Sequence, residues 1–323
     1  MGEQNLTEER IEGSATPKPF ILQRADPQIS FYDGKYYFTA TVPEYDRIEI
    51  RAAGRIAELA IAKPRVIWHR HLLGVMSKHI WAPELHKIDG KFYIYFAAAE
   101  VCAKWKIRPY VLECDGDPMT GNWREMGMLK ANKEDKYSFT DFSLDATVFE
   151  HGGERYCIWA QKVGHRFGIS NLYIARMKSP VEMDTVQVLL TTPDYDWERV
   201  DFWVNEGPAV LKRNGKVFIT FSASATGPEY CLGLLSADEN ADLLDPRVWQ
   251  KSRRPVLSTD IEKGIYGPGH NSFCVDESGR DLLVFHARTT DKLLTKDPLY
   301  DPNRHTFLAY LDYDEKGYPV FRL

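Results

Sequence analysis

The sequence predicts an all-β fold, a five-bladed β-propeller in a single domain, on three observations. One pattern, an alternating apolar stretch, a turn with glycine and an aromatic-rich strand, occurs five times in the 323 residues. Little helical periodicity separates the five copies. Repeats of three or four antiparallel strands are typical of propellers, in which the strands of each repeat form one blade. The turn glycines, which are 56, 63, 62 and 64 residues apart, are Gly34, Gly90, Gly153, Gly215 and Gly279.

Each repeat predicts a β-hairpin that opens a blade. Asp-Gly, Asn-Gly and Ser-Gly pairs at the tips supply the positive φ that tight turns need. A further strand-like run follows each hairpin: RIEIRAA, RPYVLEC, NLYIARM, YCLGLLS and TFLAYLD. The hairpins are, in chain order, ADPQISFYDGKYYFTA from Ala25, APELHKIDGKFYIYFA from Ala82, DATVFEHGGERYCIWA from Asp145, EGPAVLKRNGKVFITFS from Glu206 and GHNSFCVDESGRDLLVFHA from Gly269.

The outer parts of the blades are less regular. Arg65–Trp68 and Arg247–Gln250 are candidate fourth strands of the first and fourth blades, and Arg55–Lys63 is a candidate short helix. No linker rich in Pro, Ser or Gly divides the chain, which argues against two domains. We therefore expect the propeller to span residues 21–323, with residues 1–20 as a polar tail or a segment that closes the ring.

Charge and hydropathy argue against two kinds of partner. Lys and Arg number 41 and Asp and Glu number 46, which gives a net charge of −5. That balance disfavours binding to nucleic acid or anionic lipid through bulk charge. The longest apolar run, residues 92–99, is too short to span a bilayer. We expect neither nucleic acid nor a membrane as a partner.

The cysteines and the first residues predict a cytoplasmic location. An odd number of cysteines without a CxxC pair is typical of free thiols in a reducing compartment. The polar start, MGEQNLTEERIEGSATPKPF, lacks the apolar core of a signal peptide. The cysteines are Cys102, Cys114, Cys157, Cys231 and Cys274.

Titratable residues stand at the head of every repeat: Asp26, the Pro83–Glu84 pair, Asp145, Glu206 and His270. The first strand of each propeller blade lines the central channel, so these residues are expected to meet at one mouth. A single Asp at the start of a strand is usually a turn or cap residue. Converging carboxylates repel one another and lose water, so their recurrence in blade after blade indicates a functional site.

The motifs RADPQI, WAPELH, SLDATVF, NEGPAV and GPGHNSF, in this order and spacing, resemble glycoside hydrolase family 43. That family consists of five-bladed propellers and includes α-L-arabinofuranosidases, β-xylosidases and arabinanases. The resemblance covers nearly the whole chain and implies Asp26 as general base, Glu206 as general acid and Asp145 as the carboxylate that tunes and orients the acid. It implies cleavage of terminal α-L-arabinofuranosyl residues from arabinose-containing oligosaccharides, with β-xylosides of xylo-oligosaccharides as the alternative substrate.

These roles fit the chemistry of inversion. One carboxylic acid protonates the leaving oxygen while one carboxylate activates water, with the pair roughly 6.5–9.5 Å apart. Asp26 and Glu206 lie on the first and fourth blades, which are not adjacent, and so suit such a gap. Asp145, on the third blade, is placed to raise the pKa of Glu206 by repulsion. We therefore expect single displacement rather than retention.

Four further residues have more than one interpretation. Trp81 is either a core residue or a surface that stacks on a sugar. Arg288 is either a surface charge or, as the resemblance implies, a residue that contacts sugar hydroxyls. His270 contacts substrate, holds water or a metal ion on the axis, or is a hydrogen-bonded core residue. Glu84 is interpreted as a structural hydrogen-bonding residue. No cofactor is expected for the chemistry, and a structural calcium or another cation on the axis stays open.

Two other classes of function compete with the glycosidase. A non-catalytic propeller that acts as an interaction platform would not need acids on three blades, and WD-type signatures are absent. A metal-dependent hydrolase would need a ligand pattern such as HExxH, which the sequence does not contain.

Overall fold

The computed structural model describes residues 17–164 and 168–323, which form five antiparallel sheets in chain order together with one short hairpin. This confirms the predicted all-β, five-bladed propeller. Asp-Gly and Asn-Gly turns join the first two strands of several blades, with both residues in the left-handed region, as at Asp33 (φ 51°) and Gly34 (φ 78°). That backbone matches the twist of the flanking strands.

Each sheet is a blade, and its strands follow one another from the channel outwards in the first, second and fourth blades. In the third blade, both β12 and β13 pair with β11. The strands of the first two blades are β1 (Ala25–Tyr32), β2 (Lys35–Thr41), β3 (Arg47–Ala53), β4 (Arg65–His69), β5 (Lys78–Ile88), β6 (Lys91–Glu100), β7 (Ala103–Asp115) and β8 (Asn122–Met128). Those of the third are β9 (Ser143–His151), β10 (Glu154–Val163), β11 (Ile169–Ser179), β12 (Glu182–Met183) and β13 (Val188–Thr191). The fourth and fifth contain β14 (Asn205–Arg213), β15 (Lys216–Ala223), β16 (Cys231–Asp238), β17 (Gln250–Lys251), β18 (Tyr266–Val275), β19 (Asp281–Arg288) and β20 (His305–Tyr310), and β21 (Asp312–Tyr313) pairs with β22 (Pro319–Val320).

The outer elements match the predictions in part. Strand β4 confirms the predicted fourth strand of the first blade, and a short helix α1 (Ile56–Leu59) lies inside the predicted helical stretch. The prediction of a strand over Arg247–Gln250 is wrong for most of its length, because Pro246–Val248 forms a 3₁₀ turn before β17. Pro246 fixes φ and lacks an N–H for the ladder, and Asp245 caps the turn by accepting a hydrogen bond from the N–H of Arg247.

The core lies between neighbouring blades. One cluster, for example, packs Tyr37 and Ile50 of the first blade against Phe92 and Phe96 of the second. The first described residues join the last blade, since the N–H of Phe20 donates to the carbonyl of Thr306 at 2.7 Å. Residues 1–16 of the predicted tail lie outside the described residues.

The innermost strands β1, β5, β9, β14 and β18 carry an irregularity at the same place. The register of each shifts there, as in a β-bulge, and one residue has a left-handed φ. Bulges often re-aim side chains beside active sites. These residues, which we call the bulge ring, are Asp26 (φ 52°), Ala82 (45°), Asp145 (56°), Gly207 (53°) and His270 (42°).

Hydrogen bonds connect the bulge ring from blade to blade. In four of its members, the backbone N–H donates to a side chain of the preceding blade, which places each blade relative to the next. The bonds run from Asp26 to His286 Nδ1 (3.1 Å), from Ala82 to Thr41 Oγ1 (2.7 Å), from Gly207 to Asp145 Oδ2 (2.9 Å) and from His270 to Ser222 Oγ (2.7 Å).

Candidate active site

A cavity of about 750 Å³ opens at the bulge ring. Asp26, Asp145, Glu206 and His270 line it, so the structure brings together four of the residues that head the repeats. Tyr230 also lines the cavity. Acidic groups from three blades therefore share one partly enclosed space.

Asp26 is buried among three nitrogen-bearing side chains. Its Oδ1 lies 3.3 Å from Nδ1 of both His270 and His286, and 3.6 Å from Nη1 of Arg304. Its Oδ2 accepts a hydrogen bond of 2.5 Å from the hydroxyl of Thr41. Burial by itself would raise the pKa of Asp26, but the charges of His270 and Arg304 lower it far below the ordinary value. Asp26 is therefore held as a carboxylate.

Glu206 and Asp145 have the opposite tendency. Burial raises the pKa of Glu206, and the charge of Asp26 adds to this, against a hydrogen bond of 2.8 Å from the Tyr230 hydroxyl to Oε1. Burial raises the pKa of Asp145 to about 8, and the charges of Glu206 and Asp26 contribute. At neutral pH the two groups together retain a proton, as a general acid requires.

His270 lies between the base and the third carboxylate. Its Nδ1 is 3.3 Å from Asp26 and 3.9 Å from Asp145. Burial lowers the pKa of His270, but these carboxylates outweigh burial and raise it. A Cβ at Gly207 would lie only 3.0 Å from the ring of His270, in a residue with φ of 53°, so this site needs glycine at 207.

The arrangement gives little support to His270 as a metal ligand. Its Nδ1 faces Asp26, and within residues 17–164 and 168–323 no three His, Cys, Asp or Glu side chains form a group that could hold a metal ion. The carboxylates beside it are already hydrogen-bonded to Thr41 and to the N–H of Gly207. The axial cation remains a prediction without a supporting ligand set.

Chelation tests that prediction. A cation bound only by the folded protein stabilises it by mass action, so its removal would lower the melting temperature, and adding the cation back would restore it. Because Oδ2 of Asp26 and Oδ2 of Asp145 already accept hydrogen bonds from Thr41 and from the N–H of Gly207, we expect the melting curve after exhaustive chelation to coincide with that of the untreated protein. A reversible fall in melting temperature would establish a bound cation and overturn this expectation.

Arg288 does not occupy the position that the resemblance implies. Its side chain is 2% exposed, its Nη1 pairs with Asp301 at 2.9 Å, and its Nη2 donates to the carbonyls of both Thr226 and Pro298. Among the described residues, Arg288 is not part of the cavity lining. The prediction of a direct sugar contact is therefore at odds with the structure: Arg288 holds the loop between β19 and β20 in place.

A different arginine reaches the cavity. Arg304 lines it, lies near Asp26, and donates from Nη2 to the hydroxyl of Tyr45 at 2.9 Å. Sequence reasoning missed Arg304 because it precedes an outer strand, β20, rather than a repeat head. No repeated position pointed to it.

Trp81 lines the cavity and is supported from behind. The ring of His79 stacks on it at 4.3 Å between centroids, and the ring of Tyr45 meets it edge-on at 5.7 Å. Its buried Nε1 has no hydrogen-bond partner among the described residues. Trp105, which the sequence did not single out, lines the same cavity and is half exposed. A ring surface and a free N–H suit a sugar, so substrate contact by Trp81 stays a prediction.

Glu84 is separate from the other acids. It belongs to the lining of a second cavity, of about 650 Å³, and its Oε2 lies 2.9 Å from Nε2 of His86. This contact agrees with the structural hydrogen bonding that the sequence suggests for Glu84.

Comparison with known proteins adds to this geometry. The model of the glycosyl hydrolases family 43 matches residues 16–319. A crystal structure of an alpha-L-arabinofuranosidase from Lactobacillus brevis has a TM-score of 0.89 and 47% identity, and the match covers 98% of this chain and 97% of that one. The chain belongs to glycosyl hydrolases family 43.

Two curated relatives in family 43 come from Streptomyces. The extracellular exo-alpha-(1->5)-L-arabinofuranosidase of Streptomyces avermitilis is 48% identical over 94% of this chain, which spans 62% of the relative's length. The protein of the same name from Streptomyces chartreusis is 49% identical over 84% of this chain and 81% of its own length.

The family 43 relatives overturn one prediction. Both are named extracellular, so the predicted cytoplasmic location is wrong. The cysteines misled because Cys114, Cys157 and Cys231 are buried, and thiols shielded from oxidants carry no information on the compartment. Within the described residues, no helix has the length and apolar character needed to cross a membrane.

Proposed function

We propose that this chain is an exo-acting glycosidase that removes terminal α-L-arabinofuranosyl residues from arabinose-containing oligosaccharides by single displacement. One observation carries the mechanism: two carboxylates at the same mouth have pKa values pushed in opposite directions. The pKa of Asp26 is lowered and that of Glu206 is raised. Environments that separate two carboxyl groups in this way assign one as base and the other as acid.

The reaction follows from these protonation states. Glu206 gives its proton to the glycosidic oxygen as the bond from that oxygen to the anomeric carbon breaks. Asp26 accepts a proton from water, whose oxygen forms the new bond to the anomeric carbon on the opposite face. Asp145 and His270 act through their charges on Asp26 and Glu206. Asp145 lies near His270, and it accepts a hydrogen bond from the N–H of Gly207, the residue after Glu206.

The names of the relatives favour the arabinofuranosyl group. The relatives from two Streptomyces species are named exo-acting arabinofuranosidases, and the Lactobacillus brevis structure bears the name alpha-L-arabinofuranosidase. A panel of aryl α-L-arabinofuranosides and aryl β-xylosides tests this assignment. We expect turnover of the arabinofuranosides; a preference for the xylosides would support the β-xylosidase alternative instead.

Stereochemistry tests the single displacement. Water activated by Asp26 attacks the face opposite the leaving group, so the first sugar released should have the anomeric configuration opposite to that of the substrate. Proton NMR during the first minutes of hydrolysis measures this before mutarotation mixes the anomers. A product that keeps the configuration of the substrate would mean that Asp26 is a nucleophile, and the assignment of roles would be wrong.

A further inference from the structure

A chain of hydrogen bonds reaches Glu206 from the fifth blade, and its direction is fixed at its origin. The backbone N–H of His270 donates to Oγ of Ser222 at 2.7 Å. A backbone N–H cannot accept a hydrogen bond, so Ser222 must be the acceptor in this contact. The hydrogen of the Ser222 hydroxyl is therefore available to another group.

The next member of the chain is Tyr230. Ser222 lies beside Tyr230 and acts to lower the pKa of its phenol, which is the effect of a nearby donor. Both side chains lie close to Gly269. A Cβ added to Gly269 would be 3.1 Å from Ser222 Oγ and 2.3 Å from Tyr230 Cε1. Burial nevertheless keeps the pKa of Tyr230 well above 10, so its hydroxyl stays protonated. That hydrogen goes to Oε1 of Glu206, at 2.8 Å.

We propose that Ser222 and Tyr230 are positioning residues that place the catalytic proton of Glu206 on Oε2. The carbonyl oxygen of a carboxylic acid is a better acceptor than its hydroxyl oxygen, so the hydrogen bond from Tyr230 favours Oε1 as the carbonyl oxygen of the acid form. The proton on Oε2 then faces away from Tyr230. This inference rests on the proposed function of Glu206 as general acid.

The ring of Tyr230 is held independently of its hydroxyl. It stacks on the ring of His286, with 5.5 Å between the centroids and 6° between the planes. His286 in turn accepts the N–H of Asp26 on Nδ1, and burial lowers its pKa to about 4, so it stays neutral. Tyr230→Phe therefore removes the hydrogen bond to Glu206, the last link of the relay from His270 through Ser222 and Tyr230, and keeps the ring stacked on His286.

Several charged or titratable groups face Glu206, and their effects are separable from that of Tyr230. His270 and Arg304 lower the pKa of Glu206, whereas Asp26 raises it, and Asp145 is a fourth neighbour that interacts with Glu206. None of these side chains is altered in Tyr230→Phe. Loss of the Tyr230 donor removes one stabilising contact of the carboxylate, so the pKa of Glu206 should rise. Since activity requires protonated Glu206, the alkaline limb of kcat/KM should move to higher pH.

The main readout is the dependence of kcat on the leaving group. Aryl α-L-arabinofuranosides with a poor leaving group, such as phenyl, need the proton, whereas dinitrophenyl substrates do not. We expect Tyr230→Phe to lower kcat on the phenyl substrate by about tenfold or more and to leave the dinitrophenyl substrate nearly unchanged, because a misdirected proton weakens only general-acid catalysis. Ser222→Ala should act in the same direction with a smaller effect, since the Tyr230 hydroxyl then rotates freely.

A buried tyrosine outside the relay is the matched control. Tyr95 donates from its hydroxyl to the carbonyl of Pro180, so Tyr95→Phe also loses one hydrogen bond in the core. We expect this variant to keep the leaving-group dependence of the parent protein. Melting curves of all three variants separate a loss of stability from a change in mechanism.

The outcomes distinguish the relay from the function on which it rests. If Tyr230→Phe keeps both the leaving-group dependence and the alkaline limb of the parent, the relay is wrong, while Glu206 can still be the acid. If Glu206→Gln shows no greater loss on phenyl than on dinitrophenyl substrates, the proposed function itself fails, whatever Tyr230→Phe does.

Discussion

Asp26→Asn is expected to lower kcat by about 10²- to 10⁴-fold on every substrate, because an amide cannot take a proton from the attacking water. The loss should not depend on the leaving group, since Asp26 acts on water and not on the departing oxygen. The variant should also melt at a lower temperature. Its carboxylate is the nearest counter-charge of Arg304 and His270, and removing one partner of a buried ionic cluster is destabilising.

Initial rates on two aryl arabinofuranosides and a thermal melt measure both effects. Asp33→Asn is the matched control, because Asp33 lies in the turn of the same hairpin, is exposed, and pairs with Lys87 at the surface. We expect Asp33→Asn to have the activity of the parent. Activity of Asp26→Asn within a few fold of the parent would remove Asp26 from the role of base.

Glu206→Gln has a different expected profile. Loss of the acid should lower kcat by about 10²- to 10⁴-fold on phenyl arabinofuranoside and far less on the dinitrophenyl substrate. Its effect on stability should be small, because burial raises the pKa of Glu206 and so disfavours its charged form, and Gln is uncharged. Asp26→Asn and Glu206→Gln should thus differ both in leaving-group dependence and in melting temperature.

Glu154→Gln serves as the control for Glu206→Gln. The side chain of Glu154 is half exposed, and its nearest ion-pair contact, with Arg176, is 3.8 Å long. Equal losses of Glu206→Gln on the two aryl substrates would contradict its role as general acid. A large drop in its melting temperature would contradict the protonation state assigned to Glu206.

The repeat heads could be predicted because the same structural position recurs. Asp26, Asp145 and His270 occupy one position of the bulge ring, and Glu206 precedes its fourth member. A position that carries polar residues in successive repeats is visible in the sequence alone. The residues at this position cluster in space because the blades are arranged in a ring, so the mouth of the channel could be located from the sequence alone.

The residues that orient the acids were not predicted, although a weaker signal exists. Thr41, Ser222 and His286 lie on the second strands β2, β15 and β19, across from the bulges. The three residues occupy equivalent positions in their blades but have different side chains, so the sequence shows no repeated residue type at this position. Arg304 comes from the connection before β20, whose path no periodicity specifies, and Tyr230 opens the run YCLGLLS, where nothing in the repeat pattern marks a tyrosine as functional.

The position of the Arg288 side chain outside the cavity lining has a related cause. Its place at the end of β19 is what the motif suggested, but the direction of its side chain depends on Asp301, which lies in the following loop. A residue at the end of a strand can turn inward or outward, and the deciding partner was thirteen residues away along the chain. Sequence spacing alone does not determine such a choice.

The bulge ring has a consequence for redesign of the molecule. Its backbone directs Asp26, Asp145 and His270 toward the mouth from three blades, so the place of a functional group is set separately from its identity. In the second blade the position is filled by Ala82, which carries only a methyl group at φ 45°. Asn and Asp are the side-chain-bearing residues that such a conformation accepts most readily. Position 82 would keep its backbone with such a residue, but it lies in an apolar cluster, so a polar group grafted there also needs a hydrogen-bond partner.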